Sequence, residues 1–323
     1  MTGISRPTDN SVAAAPTARR VVTCYSLFDA FMSRAGFTDL TDGMYENDSN
    51  RTYEQAQARQ AEVLLDRADV SAERRVLDIG CGYGRILKAA GSRGAKGWGI
   101  TVSPEQVKRN MDAGLNVRLQ NYKHLGPEWD GQFDAVVANG SLEHFAQPED
   151  AAAGRDDAIY RHLFETVHRL LDPNTAGAKF VTTAIHFRRR PDPLLLLGAE
   201  SALARGSEEF HLARVLSHGF GGWYPVVGQL ESCADGLFRL VHQEDGTEDY
   251  RRTSDACLAA SSRRIHSLGG LPIWLRAIPL MLRHPVQTVR LYQCIFGSES
   301  WNWQFRGDLP STQLLRQTWE RVG

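Results

Sequence analysis

From about Ser71 the chain alternates short apolar runs with stretches whose apolar positions recur every three or four residues: "RVLDIG", "GRILKAAGSRG", "GWGITV", "SPEQVKRNMDAG", "VRLQNY" and "FDAVVAN". Strands and helices alternating at this length predict βαβ units and a parallel sheet with helices on both faces. A helix from Asp157 to Leu171 and the turn "DPNTAG" lead into "KFVTTAIHF", a fifth strand. Beyond Phe187 the regularity stops, and the Pro-, Gly- and charge-rich stretch up to "GFGGWYP" reads as an insertion over one end of the sheet. "LFRLVHQED" resumes the strand pattern, followed by a helix from near Tyr250 to Ser267 and an apolar helical hairpin that runs to Phe296. In "SWNWQFRGD" the aromatic residues Trp301, Trp303 and Phe305 alternate at period two, which predicts a strand returning to the sheet edge.

Composition narrows the function classes. With 323 residues, 42% hydrophobic, 23% charged and a net charge of -1, the chain has neither the basic excess of a nucleic-acid binder nor the bias of a disordered one. Residues 1–20, rich in Ser, Thr, Ala and Pro, lack the apolar region of a secretory signal and read as a disordered leader. No apolar run reaches the roughly 18–20 residues that span a bilayer. Even "LPIWLRAIPLMLRHPV" carries Arg276 and Arg283, so it reads as core helix, as the lining of an apolar substrate tunnel, or as a surface resting on a membrane. A cytoplasmic location follows as the expectation. The five cysteines (Cys24, Cys81, Cys233, Cys257, Cys294) show no ligand spacing, so reduced thiols and no metal are expected.

The chemistry centres on "VLDIGCGYG", where a strand ending in Asp78 turns through Gly80, Gly82 and Gly84 into a helix. Bare backbone at a helix N-terminus receives a flat or anionic ligand. A dinucleotide site would show G-x-G-x-x-G and a ribose-binding carboxylate about 20 residues on. Here the spacing is G-x-G-x-G and the next strand ends "GITVSPEQ", which argues against NAD.

This loop resembles the first motif of class I S-adenosylmethionine-dependent methyltransferases. "GITVSPEQ", "LQNYKHL" and "VVANGSLEHF" resemble segments of the cyclopropane-fatty-acid synthase and mycolic acid methyltransferase family. "DGMYENDSNRTYEQAQARQ" is similar to that family's N-terminal helical lid, "FGGWYP" to a turn in its substrate-covering insertion, and "DYRRTSDAC" to a stretch carrying an active-site tyrosine. The resemblance implies a Rossmann-like α/β fold: a seven-stranded, mainly parallel sheet with helices on both faces and an antiparallel last strand, a helical N-terminal lid and a helical insertion. In this reading residues 21–70 form the lid, 71–187 the cofactor-binding core, 188–306 the insertion with the last strands of that core, and 307–323 a C-terminal tail.

It implies S-adenosyl-L-methionine as cofactor, held by Asp78, Gly80, Gly82 and Gly84, with Thr101, Ser103 and Gln106 near the ribose and methionine portions and Asn121 and Tyr122 near the adenine. Neutral hydrogen-bonding side chains suit a ligand with a sulfonium charge and no phosphate. Glu143, Tyr250 and Tyr45 match the family's catalytic positions. Alkylating a double bond makes a carbocation, which calls for exclusion of water, aromatic walls and one base. Where the family holds a bicarbonate ion with a cysteine and a fifth-strand histidine, this chain has Gly43 and Thr183; Ile185 is kept. His144 and His186 are further candidate bases. The arginine runs Arg188 to Arg190, Arg251 to Arg252 and Arg263 to Arg264 read as solvated charge or as a site for a diphosphate or phospholipid head group.

The implied activity is C-methylation of a carbon–carbon double bond in an apolar acceptor, an unsaturated acyl chain or a prenyl diphosphate. N- or O-methylation of a small natural product, and cofactor binding without turnover, stay open as alternatives. A hydrophobic small-molecule or lipid partner is expected and no nucleic acid; peripheral membrane contact and homo-oligomerisation are left open.

Overall fold

The computed structural model describes residues 16–37, 41–198, 202–297 and 301–323. In chain order these form α1 (Pro16–Phe28), α2 (Tyr53–Arg67), β1 (Arg75–Ile79), α3 (Arg85–Ser92), β2 (Lys96–Thr101), α4 (Pro104–Asp112), β3 (Val117–Leu119), β4 (Ala135–Asn139), α5 (Pro148–Ala152) and α6 (Asp156–Leu170). There follow β5 (Lys179–Phe187), α7 (Pro193–Leu197), α8 (Glu208–Leu212), α9 (Gln229–Ala234), β6 (Phe238–Asp245), α10 (Thr247–Ile265), α11 (Leu271–Arg283), α12 (Pro285–Phe296) and β7 (Thr312–Arg321). Most of the leader lies outside the described residues; its last five positions already belong to α1.

Local chemistry sets these boundaries. Thr52 and Gln55 close a reciprocal capping box on α2, and Ser103 caps α4 with Pro104 in its first turn. β4, "AVVAN", is buried at every position, as a central parallel strand must be. The sheet has seven strands in the order β3-β2-β1-β4-β5-β7-β6, with only β7 antiparallel to its neighbours. The order reverses between β1 and β4, so the crevice at their carboxyl ends is where an open α/β sheet binds its ligand.

Two readings of the chain's end are corrected. Trp301–Phe305 is a 3₁₀ turn, not a strand: Trp301 and Phe305 pack on the Tyr250 ring with centroids 5.5 and 4.6 Å away, while Trp303 stacks on His211 at 4.2 Å. The last strand comes instead from part of the expected tail, and it is internal to the sheet. β7 inserts between β5 and β6 and pairs with β5 over nine residues, from Lys179 opposite Glu320 to Phe187 opposite Thr312. Its "TQLLRQTWER" is buried at eight positions although seven of its ten residues are polar.

The polar residues of β7 are buried because they have partners. Arg316 is fully buried and its guanidinium bonds Asp42, Glu244 (2.7 Å), Asp249 (2.9 Å) and the Gly43 carbonyl (3.0 Å). This one side chain therefore ties the lid segment, β6 and the start of α10 together. The network continues from Asp42 to Gln60 (2.7 Å), from Gln60 to Asn139 (2.9 Å) and from Asn139 to Thr183 (2.6 Å).

Candidate active site

A cavity of about 530 Å³ opens at the carboxyl ends of β1, β2 and β4. Asp78, Gly80, Gly82, Thr101, Ser103, Gln106, Asn121 and Tyr122 all line it. At Gly80 φ is +80°, and a Cβ would stand 2.5 Å from that of Ser141, so only glycine leaves the loop in this path. Asn110 Nδ2 donates to the Gly82 carbonyl at 2.8 Å and holds the loop from beneath. Gly84 caps α3 and is not part of the lining. Thr101 Oγ1 donates to Gln106 Oε1 at 2.6 Å, while Ser103 Oγ accepts from the Gln106 backbone N–H as the cap of α4. Tyr122 is buried with its ring 4.5 Å from that of Phe145, and its hydroxyl has no partner among the described residues. Thr101, Ser103, Gln106 and Asn121 bring neutral donors and acceptors to this half of the cavity, beside the carboxylate of Asp78 and the cations Arg85, Lys88 and Lys123.

The N-terminal helical segment is fastened to the loop and α4 by contacts the sequence reading missed. Asp29, in the π-helical turn after α1, accepts from the Tyr83 hydroxyl at 2.8 Å and pairs with Arg109 of α4 at 2.8 Å. Ser26 donates to Glu105 at 2.9 Å. Spacing alone could not reveal these contacts, since the partners lie 54 to 80 residues apart in the chain.

The other half of the cavity is apolar and aromatic: Phe28, Val215, Leu216, Phe220, Tyr224, Tyr250 and Trp301 line it. Glu143 enters it from the turn after β4, and is 5% exposed. Its Oε1 accepts from the Ile185 N–H at 2.8 Å, whereas Oε2 is buried with no partner among the described residues. Burial pushes the carboxyl up to about 7. The "FGGWYP" turn fixes this residue through its backbone: the Trp223 N–H donates to the Glu143 carbonyl at 2.9 Å, and Gly222, at φ +141°, lies so close to that carbonyl that a Cβ would collide with it.

The remaining candidates divide. Tyr250 lines the cavity, and burial raises its phenol well above the ordinary range, with the Glu143 charge adding to the effect, so it stays protonated. His144 also lines the cavity; Nδ1–H donates to the Gly221 carbonyl at 2.6 Å, which leaves Nε2 to accept from the Tyr25 hydroxyl at 2.8 Å, and burial lowers its proton affinity. Tyr45 does not line the cavity. It is buried under Arg252, whose guanidinium carbon lies 3.9 Å from the ring centroid, and its N–H donates to Asp249 at 3.0 Å. His186 is buried away from the lining, with burial holding it at about 4.

The positions that differ from the family's bicarbonate site are filled from within. A Cβ on Gly43 would stand 2.7 Å from that of Ala56, and Thr183 gives its hydroxyl to Asn139. Neither residue lines the cavity, so no step through bicarbonate is derived. Of the arginine runs, Arg190 pairs with Asp156 (2.6 Å) and Arg251 with Glu248 and Asp255, and no member of any run lines the cavity.

This fold and cofactor crevice define an S-adenosylmethionine-dependent methyltransferase. The model of the mycolic acid cyclopropane synthetase family matches residues 17–256, and the chain belongs to that family. It is 27% identical over 257 residues to cyclopropane mycolic acid synthase 3 of Mycobacterium tuberculosis, covering 76% of this chain and 82% of that one. Among solved structures, a mycolic acid cyclopropane synthase complexed with SAH and CTAB superposes with a TM-score of 0.69 at 20% identity, over 94% of this chain and 98% of that one. Geranyl diphosphate C-methyltransferase from Streptomyces coelicolor A3(2), in complex with Mg2+, geranyl diphosphate and S-adenosyl-L-homocysteine, gives 0.57 at 15% identity, over 96% and 99%.

Proposed function

We propose that this enzyme methylates a carbon–carbon double bond in an apolar, uncharged chain and that Glu143 removes the proton that ends the reaction. The observation that carries this reading is the Glu143 carboxylate, its Oε2 partnerless among the described residues, at the apolar and aromatic half of the cavity. S-Adenosylmethionine, when bound, supplies an electrophilic methyl carbon and leaves as S-adenosylhomocysteine. Asp78, the glycine loop, Thr101, Gln106, Asn121 and Tyr122 hold it, and the latched lid excludes water. Tyr224, Tyr250 and Trp301 line this half with aromatic rings, which stabilise the positive charge that develops on the alkene carbon beside the one that takes the methyl, without a nucleophile to trap it. A C–H bond beside the cationic carbon then breaks and its electrons form a new double bond, or a C–H bond of the transferred methyl breaks and its electrons close a three-membered ring; in either case the proton passes to Glu143 Oε2. A carboxyl group near 7 is ionised often enough to act as base and basic enough to take a proton from carbon at neutral pH.

The cations that line the cavity, Arg85, Lys88 and Lys123, follow the glycine loop or adjoin Tyr122, and none stands among the apolar and aromatic residues of the acceptor half. This favours an unsaturated acyl chain over a prenyl diphosphate, whose phosphates would need cations. Incubation with S-adenosylmethionine and two panels, unsaturated phospholipids and short prenyl diphosphates, tests the reading by mass spectrometry for a gain of one methylene, with NMR of any product for a retained double bond. Product from the phospholipid panel supports it, and product from the diphosphate panel alone replaces the acyl acceptor. Product from neither, with transfer to a phenol or amine instead, refutes alkene alkylation and turns attention to His144 as the base for O- or N-methylation.

A further inference from the structure

The hairpin of α11 and α12 is apolar on both sides. Ile273, Ala277, Leu291, Cys294 and Ile295 are buried against the body of the protein. Leu271, Leu275, Ile278 and Leu282 instead face solvent, with Leu282 77% exposed. At 3.6 residues per turn these four fall within about 60° of one another, a stripe along the outer side of α11. Leu268 before it, 97% exposed, and Val286 and Val289 after it extend the stripe. Soluble chains seldom leave a contiguous apolar stripe of this length without a partner. From Arg263 to Phe296 the sequence contains five arginines (Arg263, Arg264, Arg276, Arg283, Arg290) and no Asp or Glu. None of the five is in an ion pair among the described residues.

We infer that this hairpin is the face by which the enzyme rests on an anionic lipid bilayer. Leucines at the depth of the acyl boundary with arginines beside them are what such a surface binds, and no single helix among the described residues is long and apolar enough to cross a membrane. Charge decides against a second copy of the chain. A two-fold interface would bring the same arginine-bearing, carboxylate-free face against itself, and like charges would meet. The hairpin also adjoins the cavity wall. α12 packs against α1 and against the π-helical turn Ala213–Gly219, whose Val215 and Leu216 line the cavity. A small void of about 50 Å³, walled by Cys24, Leu27, Ser217, Gly219, Gln287, Arg290 and Leu291, lies between these elements. The inference deepens the acyl-chain reading by giving the acceptor a route from the bilayer, yet its readout does not depend on turnover.

The test is flotation of the full chain with vesicles of phosphatidylglycerol and phosphatidylcholine, against phosphatidylcholine alone. Wild-type protein should float with the anionic vesicles and be released by salt. L275S/L282S, changing only exposed side chains, should lower the partition coefficient at least roughly tenfold. R276Q/R283Q should lower it about thirtyfold and flatten the salt dependence. Circular dichroism and S-adenosylhomocysteine binding, unchanged in both variants, establish that they are folded. Absence of flotation, or flotation that neither variant weakens, overturns the inference. A wild-type dimer that L275S/L282S converts to monomer, with no vesicle binding, overturns it in favour of a second copy. Flotation without alkene product leaves the membrane face standing while the acyl-chain reading falls.

Discussion

Replacing Glu143 by Gln should make the protein more stable at alkaline pH while abolishing its activity. In the folded chain burial raises the carboxyl from 4.5 to about 7, so the folded state binds that proton more tightly than the unfolded state. The sign follows: the contribution is fully present below pH 4.5 and is lost as pH rises through 7, beyond which the wild type carries a constant penalty. The size of the rise corresponds to roughly 3 kcal/mol. Gln retains an oxygen to accept the Ile185 N–H, has nearly the same volume and cannot ionise. Thermal unfolding of both proteins between pH 5 and 8 should therefore show curves that lie close together at the acid end, with the variant several degrees higher at pH 8. In parallel, wild-type kcat/KM should rise about tenfold per pH unit on approaching 7 from below and then level off, whereas E143Q should keep cofactor affinity and lose turnover. A stability difference that does not change with pH would refute the argument, as would a variant that turns over at the wild-type rate.

Three further expectations rest on other parts of the structure. Arg316→Met leaves Asp42, Glu244 and Asp249 around an apolar side chain and should cost roughly 3–5 kcal/mol, read as a lower urea midpoint; a loss under 1 kcal/mol would show that the network is not needed. Asp29→Ala frees Tyr83 and Arg109 and should weaken S-adenosylhomocysteine binding by roughly tenfold in calorimetry while leaving Tm within a few degrees, and unchanged affinity would show that the lid closes without its latch. Gly222→Ala drives a methyl into the Glu143 carbonyl and should depress kcat far more than cofactor affinity, an outcome that equal loss of both would contradict.

β1, β4 and β5 were legible because they are buried nearly throughout, so their apolar pattern is a direct record of burial, while β2 and the edge strand β3, only partly buried, were placed by the alternation of strand and helix around them. The glycine loop was legible for a different reason: bare backbone at Gly80 and Gly82 has few uses besides close approach to a ligand. β7 was hidden because its buried positions include Gln313, Arg316 and Gln317, residue types that read as solvent-facing until their partners are known. Those partners stand far off in the chain, and no local period carries that information. Trp301, Trp303 and Phe305 misled for the converse reason, since large rings wedged against α10 and His211 can repeat at any spacing that a short turn allows. Glu143, Tyr250 and Tyr45 were all named by match to family positions; the first two line the cavity, whereas the fold turns Tyr45 beneath Arg252.

Arg316 has a consequence for the order of events during synthesis. Asp42 waits for a guanidinium 274 positions later, and β5 stands as a nine-residue open edge until β7 slides in beside it. A ribosome that has finished the glycine loop and the cavity-lining residues up to Tyr122 has still to make the strand that anchors the Asp42 segment, on the order of ten seconds at ordinary elongation rates. During that interval the nascent chain carries an unpaired strand edge and uncompensated acids, a combination that invites capture by a chaperone. Binding competence should therefore arrive late and all at once, with emergence of the last strand, rather than growing as each motif is added.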